Sequence, residues 1–105
     1  MDQILQNIKE RRSVRKYKSE PIPDDIIANL KEAIIWAPSA HNFQARKFYF
    51  IFDDEMKMKM KDATWRGQEH VTECPLLVLG CVDLEKYGEK REIGEKIYGI
   101  CDVAA

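Results

Sequence analysis

No apolar run in this chain approaches the ~20 residues of a membrane-spanning helix. Its hydrophobic residues, 45% of the sequence, are therefore expected in a packed core, and a membrane role is not expected. Net charge is also nearly missing. The 17 Lys and Arg stand against 18 Asp and Glu, a formal charge of -1, which argues against the chain as a polyelectrolyte partner of nucleic acid. The start, Met1-Asp2-Gln3, lacks the basic stretch and apolar segment of a secretory signal. Cysteine is scarce and odd in number: Cys74, Cys81 and Cys101, with no CxxC. That pattern fits a reducing, cytoplasmic setting with thiols packed as small hydrophobes, and gives no support to zinc or iron–sulfur. GxGxxG, P-loop and GxSxG strings are all absent, so Rossmann, nucleoside-triphosphate and serine-hydrolase readings have no foothold. His70 has no HxH or HxxxH partner, which leaves a metal role without a basis. With no internal repeat, low-complexity tract or linker, residues 1–105 read as one domain.

What is present divides into clear elements. Ile4, Leu5 and Ile8 recur at helical spacing and predict a helix near Asp2 to Glu10. Glu20-Pro21-Ile22-Pro23 is an extended connector, because each proline disfavours helix in the residue before it. Pro23 suits the first position of a second helix, with Asp24 and Asp25 at the positive end of its dipole. Ile26, Ile27, Leu30, Ala33, Ile34 and Ala37 form its predicted buried face, and Pro38 stops it. Phe48 to Phe52 is aromatic and β-branched, which predicts a strand covered on both sides. Asp53 and Asp54 offer an N-cap to a helix from about Glu55 to Thr64. Met56, Met58 and Met60 are expected as core filler there. Gly67 breaks the chain, Gln68 to Glu73 fits one or two helical turns, and Leu76 to Val82 is the best central strand. Leu84 to Glu92 reads as a surface loop or helix start, and Ile93, Ile97, Ile100 and Val103 again keep helical spacing. Only two strands are visible, both look central, and a two-stranded ribbon is marginal alone. The expectation is an incomplete domain, or one that borrows elements from a partner.

Two clusters carry chemistry. Arg11, Arg12, Ser13, Arg15, Lys16 and Lys18 crowd a short span. In an extended chain, Arg11, Ser13 and Arg15 share one face. That face offers two guanidinium forks and a hydroxyl, suited to a phosphate and an adjacent polar ring edge. A solvated basic connector is the plainer alternative, and a nucleic-acid arm a third; no aromatic platform interleaves with the cations. The second cluster, Pro38-Ser39-Ala40-His41-Asn42, places small and amide groups directly after a helix. It can face a ligand closely, or it can be an ordinary loop in which Ser39 and Asn42 satisfy their own backbone.

Taken together, "RRSVRKY", "EPIPDDIIANLKEAIIWAPSAHNFQ" and "GQEHVTECPLLVLGCVD" resemble the FMN-dependent nitroreductase family in order and spacing. The resemblance runs through most of the chain. It implies an α+β fold, a three-layer α/β/α sandwich around a mixed sheet, incomplete here at its C-terminus. It also implies a homodimer with FMN at the interface, NADH or NADPH as electron donor, and a small-molecule acceptor such as a nitroaromatic or quinone. Carried over by position, Arg11 and Ser13 would hold the phosphate with Arg12 beside them. Arg15 would reach the N1–C2=O edge of the ring, where a cation stabilises developing negative charge. Pro38, Ser39, Ala40 and Asn42 would contact the flavin of the other subunit. Gln68, with Gly67 next to it, would meet the ring's polar edge. No side chain is expected to act as a covalent or acid–base catalyst. One departure stands out: Ala45-Arg46 follows Gln44 where family members commonly have Pro-Trp. A catalytically silent FMN-binding or interaction fragment is the alternative.

Overall fold

The computed structural model describes residues 2–93 and residue 103. Among these residues, five helices and two strands run in the order α1 (Asp2–Glu10), α2 (Asp24–Trp36), β1 (Arg46–Ile51), α3 (Asp54–Ala63), α4 (His70–Glu73), β2 (Leu77–Val82) and α5 (Arg91–Ile93). Short 3-10 turns span Ala40–Asn42 and Leu84–Lys90. The chain is α+β, and its described strands pair antiparallel, with Arg46 opposite Val82 and Ile51 opposite Leu77. No helix among the described residues is long and apolar enough to cross a membrane.

The helix ends follow local chemistry. Pro23 sits one position earlier than expected: it is the N-cap of α2, with ψ 145, and the helix starts at Asp24. Ala37 turns extended (ψ 141) immediately before Pro38, ending α2, as the residue before a proline is biased to do. The α3 cap is as expected: the Asp53 carboxylate accepts from the Met56 N–H at 2.9 Å. This satisfies one of the four orphan donors of the first turn.

Burial departs from expectation. Among the described residues the buried apolar side chains are Ala45, Val71, Cys74 and Tyr87. None of them lies on α1 or α2, neither of which has a buried residue. The predicted inner face of α2 is half-buried at Ile27, Ile34 and Ala37 and exposed at Ile26, Leu30 and Ala33. The reason is geometric. Leu30, Ala33, Ile34 and Ala37 form one wall of an open groove of about 370 Å³, whose other wall is Phe48, Phe50 and Val78. Arg46 and Val103 also line this groove. β1 likewise is not covered on both sides. Lys47 and Tyr49 are exposed while Arg46, Phe48 and Phe50 are half-buried, the alternation of a strand with one covered face. Met56 and Met58 are exposed, so they are not core filler; Met60 is half-buried.

Lys57 takes the inward position of α3 instead. It is 4% exposed, its ammonium lies 3.6 Å from the Asp54 carboxylate, and it donates to the Pro75 carbonyl at 3.4 Å. The long aliphatic stem fills the space and the charged head finds oxygen partners. Cys74 is buried and its thiol donates to the Val71 carbonyl, matching the expected inert packing, whereas Cys81 is only half-buried. Gly80 sits where a Cβ would lie 2.7 Å from Val103 Cγ1 and 3.1 Å from Phe48 Cε1. Only glycine lets these elements approach so closely. Cys101 and the helical positions Ile97 and Ile100 lie outside the described residues.

Candidate functional site

Residues Arg11 to Ser19 have neither helix nor strand, and every one is exposed. The segment carries its cations into solvent. The Arg12 guanidinium folds back and donates to the carbonyls of Lys9 and Arg11, both at 3.0 Å. It caps the end of α1, where the helix leaves carbonyls without partners. Arg11, Ser13 and Arg15 present exposed side chains. The segment is tied down at its far end. The Tyr17 hydroxyl donates to the Val14 carbonyl at 2.7 Å, and the Tyr17 ring lies 6.2 Å from the His70 ring. Tyr17, His70, Val71, Cys74 and Pro75 share one hollow. The structure thus brings the end of the basic segment to the start of α4.

Gln68 lies just before α4. The turn that carries it uses left-handed backbone at Arg66 (φ 63) and Gly67 (φ 57), the second of which glycine adopts without strain. The Thr64 hydroxyl accepts from the Gln68 N–H at 3.0 Å, and the Gln68 side-chain amide donates to the Trp65 carbonyl at 3.1 Å. This bond uses a single one of the groups on an amide that carries two N–H and a carbonyl.

The corner after α2 is built differently. His41 (φ 50), Asn42 (φ 57) and Gln44 (φ 52) all have left-handed backbone, uncommon for residues with a Cβ. Three bonds within the corner hold them. The Asn42 N–H donates to the Ser39 carbonyl at 3.1 Å. The Gln44 N–H donates to the Ser39 hydroxyl at 3.1 Å, and the Gln44 amide donates to the Asn42 side-chain carbonyl at 3.2 Å. Ser39 and Asn42 therefore do satisfy their own loop, as the plainer reading expects, and in doing so they fix its shape. The corner is also anchored from outside. Phe43 packs edge-on against Tyr87, with ring centroids 5.4 Å apart, and Tyr87 is 1% exposed. Ala45 is fully buried, and its carbonyl accepts from the Asp83 N–H at 2.6 Å.

The residue that sequence reasoning passed over is Arg46. Its guanidinium donates to the Pro38 carbonyl at 2.7 Å and the Ile34 carbonyl at 3.2 Å, with a further short bond to the Ala37 carbonyl. A signal was present in the sequence: the last turn of α2 has no basic residue of its own, and an arginine opens the strand that follows. Among the described residues, no cluster of three or more His, Cys, Asp or Glu side chains could hold a metal.

A family model described as the nitroreductase family matches residues 8–97, a span that includes the basic segment, the corner and the Gln68 turn. The chain belongs to the nitroreductase family. It is 36% identical over 76 residues to a protein named NADH dehydrogenase from Thermus thermophilus, covering 72% of this chain and 37% of that protein. Among solved structures, the hypothetical oxidoreductase YcnD from Bacillus subtilis superposes with a TM-score of 0.80 at 22% identity, over 99% of this chain and 46% of that one. A nitroreductase from Desulfovibrio desulfuricans, solved in complex with FMN, superposes with a TM-score of 0.70 at 30% identity, over 95% of this chain and 59% of that one. The nitroreductase fold expected from the sequence is therefore the one observed. The chain spans well under two thirds of the length of each of these relatives.

Proposed function

We propose that this chain carries an FMN site of an NAD(P)H-dependent oxidoreductase, working as a cytoplasmic homodimer on a small-molecule acceptor such as a nitroaromatic or quinone. The observation that carries the reading is the basic segment. Arg11, Ser13 and Arg15 are exposed on a stretch with neither helix nor strand inside the region that matches the family. One guanidinium and the hydroxyl suit a phosphate monoester, whose oxygens arginine binds bidentately, and the second guanidinium suits the polar edge of the adjacent ring. The chemistry of these residues fits FMN. The related Desulfovibrio structure holding FMN supports the same cofactor, and the name of the Thermus relative supports a nicotinamide donor.

In this reading Arg11 and Ser13 hold the phosphate. Arg12 caps α1 and keeps the segment's entry fixed. Arg15 sets a positive charge at the polar edge of the ring, where negative charge develops on reduction. Gln68 meets that edge with its remaining amide groups. Pro38, Ser39, Ala40 and Asn42 offer a rigid surface to the flavin of the second subunit. FMN, when bound, supplies the hydride and electron chemistry; the protein supplies binding, orientation and electrostatics. The test is to mix the purified protein with FMN and NADH and follow the flavin's visible absorbance. Prompt bleaching supports the reading. FMN retained without bleaching reduces it to a binding role, and no retention overturns it.

A further inference from the structure

We infer that Arg46 is a positioning residue for the flavin-facing corner: its guanidinium locks Pro38 to Gln44 onto the C-terminal end of α2, and the corner's fit to FMN depends on that lock. The inference rests on the corner being a flavin contact, as proposed above. Three observations carry it. First, the end of a helix leaves carbonyls unpaired and holds partial negative charge, and the last turn of α2 contains no cation to meet it. Arg46 supplies one from β1, bonding the carbonyls of Ile34, Ala37 and Pro38 together. Second, these acceptors straddle the point where helix becomes corner, so a single planar group fixes the exit direction of the chain. A guanidinium has five N–H donors in a rigid fork; an ammonium has one point of charge on a flexible stem. Third, the corner has left-handed backbone at His41, Asn42 and Gln44, which persists only when surrounding structure over-determines it. Phe43 against Tyr87 and the buried Ala45 hold the far side. Arg46 holds the near side. With the lock open, Ser39 loses its fixed place, and the two N–H groups that it bonds, those of Asn42 and Gln44, lose their partner.

The experiment compares the parent with Arg46→Met, which keeps the aliphatic stem, and Arg46→Lys, which keeps the charge without the fork. Amide hydrogen exchange is measured first, without FMN. Arg46→Met is expected to speed exchange at Asn42 and Gln44 by about tenfold or more, the worth of one charge-assisted bond, while the Met56 amide at the α3 cap is unchanged. Arg46→Lys is expected to fall between. If Arg46→Met does not fold, Arg46→Lys carries the same comparison. Equal exchange at Asn42 and Gln44 in the parent and the folded variants overturns the lock. FMN is then titrated by quenching of its fluorescence, with the visible circular dichroism of the bound flavin recorded. The variant is expected to bind about tenfold more weakly with an altered dichroism band, and lysine to restore part of both. Faster exchange with unchanged affinity and band overturns the link to the flavin. A parent that binds no FMN overturns the flavin reading instead, and the exchange result still decides whether Arg46 locks the corner.

Discussion

The basic segment and the corner after α2 are two halves of one proposed site, and they are made in opposite ways. The segment from Arg11 to Ser19 is exposed throughout; it makes local hydrogen bonds, Arg12 to the end of α1 and Tyr17 to Val14, and the Tyr17 ring meets His70. The corner is fastened by its own hydrogen bonds, by Arg46, by Tyr87 and by the buried Ala45. The first can recognise a ligand by charge, with side chains that order when the ligand arrives. The second can recognise by shape, with a backbone already set. Charge recognition leaves the fold's stability almost untouched. Shape recognition is inseparable from it.

Substitutions can break this contrast. The largest effect is expected at the corner's support: Tyr87→Ala should cost about 3–5 kcal/mol of stability, the range for emptying a buried aromatic site, read from denaturant unfolding. A similar loss from Arg11→Ala would erase the distinction. Arg11→Ala should instead leave unfolding unchanged and weaken FMN binding by roughly 1.5–3 kcal/mol, the worth of hydrogen bonds to a charged group, measured by flavin retention. A smaller change sharpens the contrast away from both regions. Asp53→Ala removes the α3 cap and should cost about 1 kcal/mol of stability with no change in FMN affinity. The subtlest effect is on salt. Exposed charges are screened over about 10 Å at 0.1 M salt, so parental FMN affinity should fall as salt rises. Arg11→Ala should flatten that dependence, and Arg46→Met should leave its slope intact.

The two halves also differed in legibility. The basic segment is local chemistry written consecutively, and the structure leaves it exposed and without helix or strand. Helix ends were equally readable, because Pro38 and Asp53 act on their immediate neighbours. The corner was readable only as a break with small polar groups. Its left-handed residues are not glycines, so the backbone signal was weak: His and Asn are only enriched at positive φ, and Gln44 is not. Its support comes from Arg46, Tyr87 and Asp83, which meet it through folding and not through proximity in sequence. Burial was misjudged for a related reason. The apolar stripe of α2 was correctly periodic, but periodicity reports which face is apolar and not what covers it. Here that face looks across an open groove to Phe48, Phe50 and Val78.

The measurement that bears most directly on the account is a fluorescence titration of the protein with FMN and, in parallel, with riboflavin, which lacks only the phosphate. The parent should prefer FMN by about tenfold or more, as charge-assisted bonds to one phosphate require, and Arg11→Ala should remove most of that preference. Equal affinity of the parent for the two flavins, or a preference for FMN that survives Arg11→Ala, would contradict it.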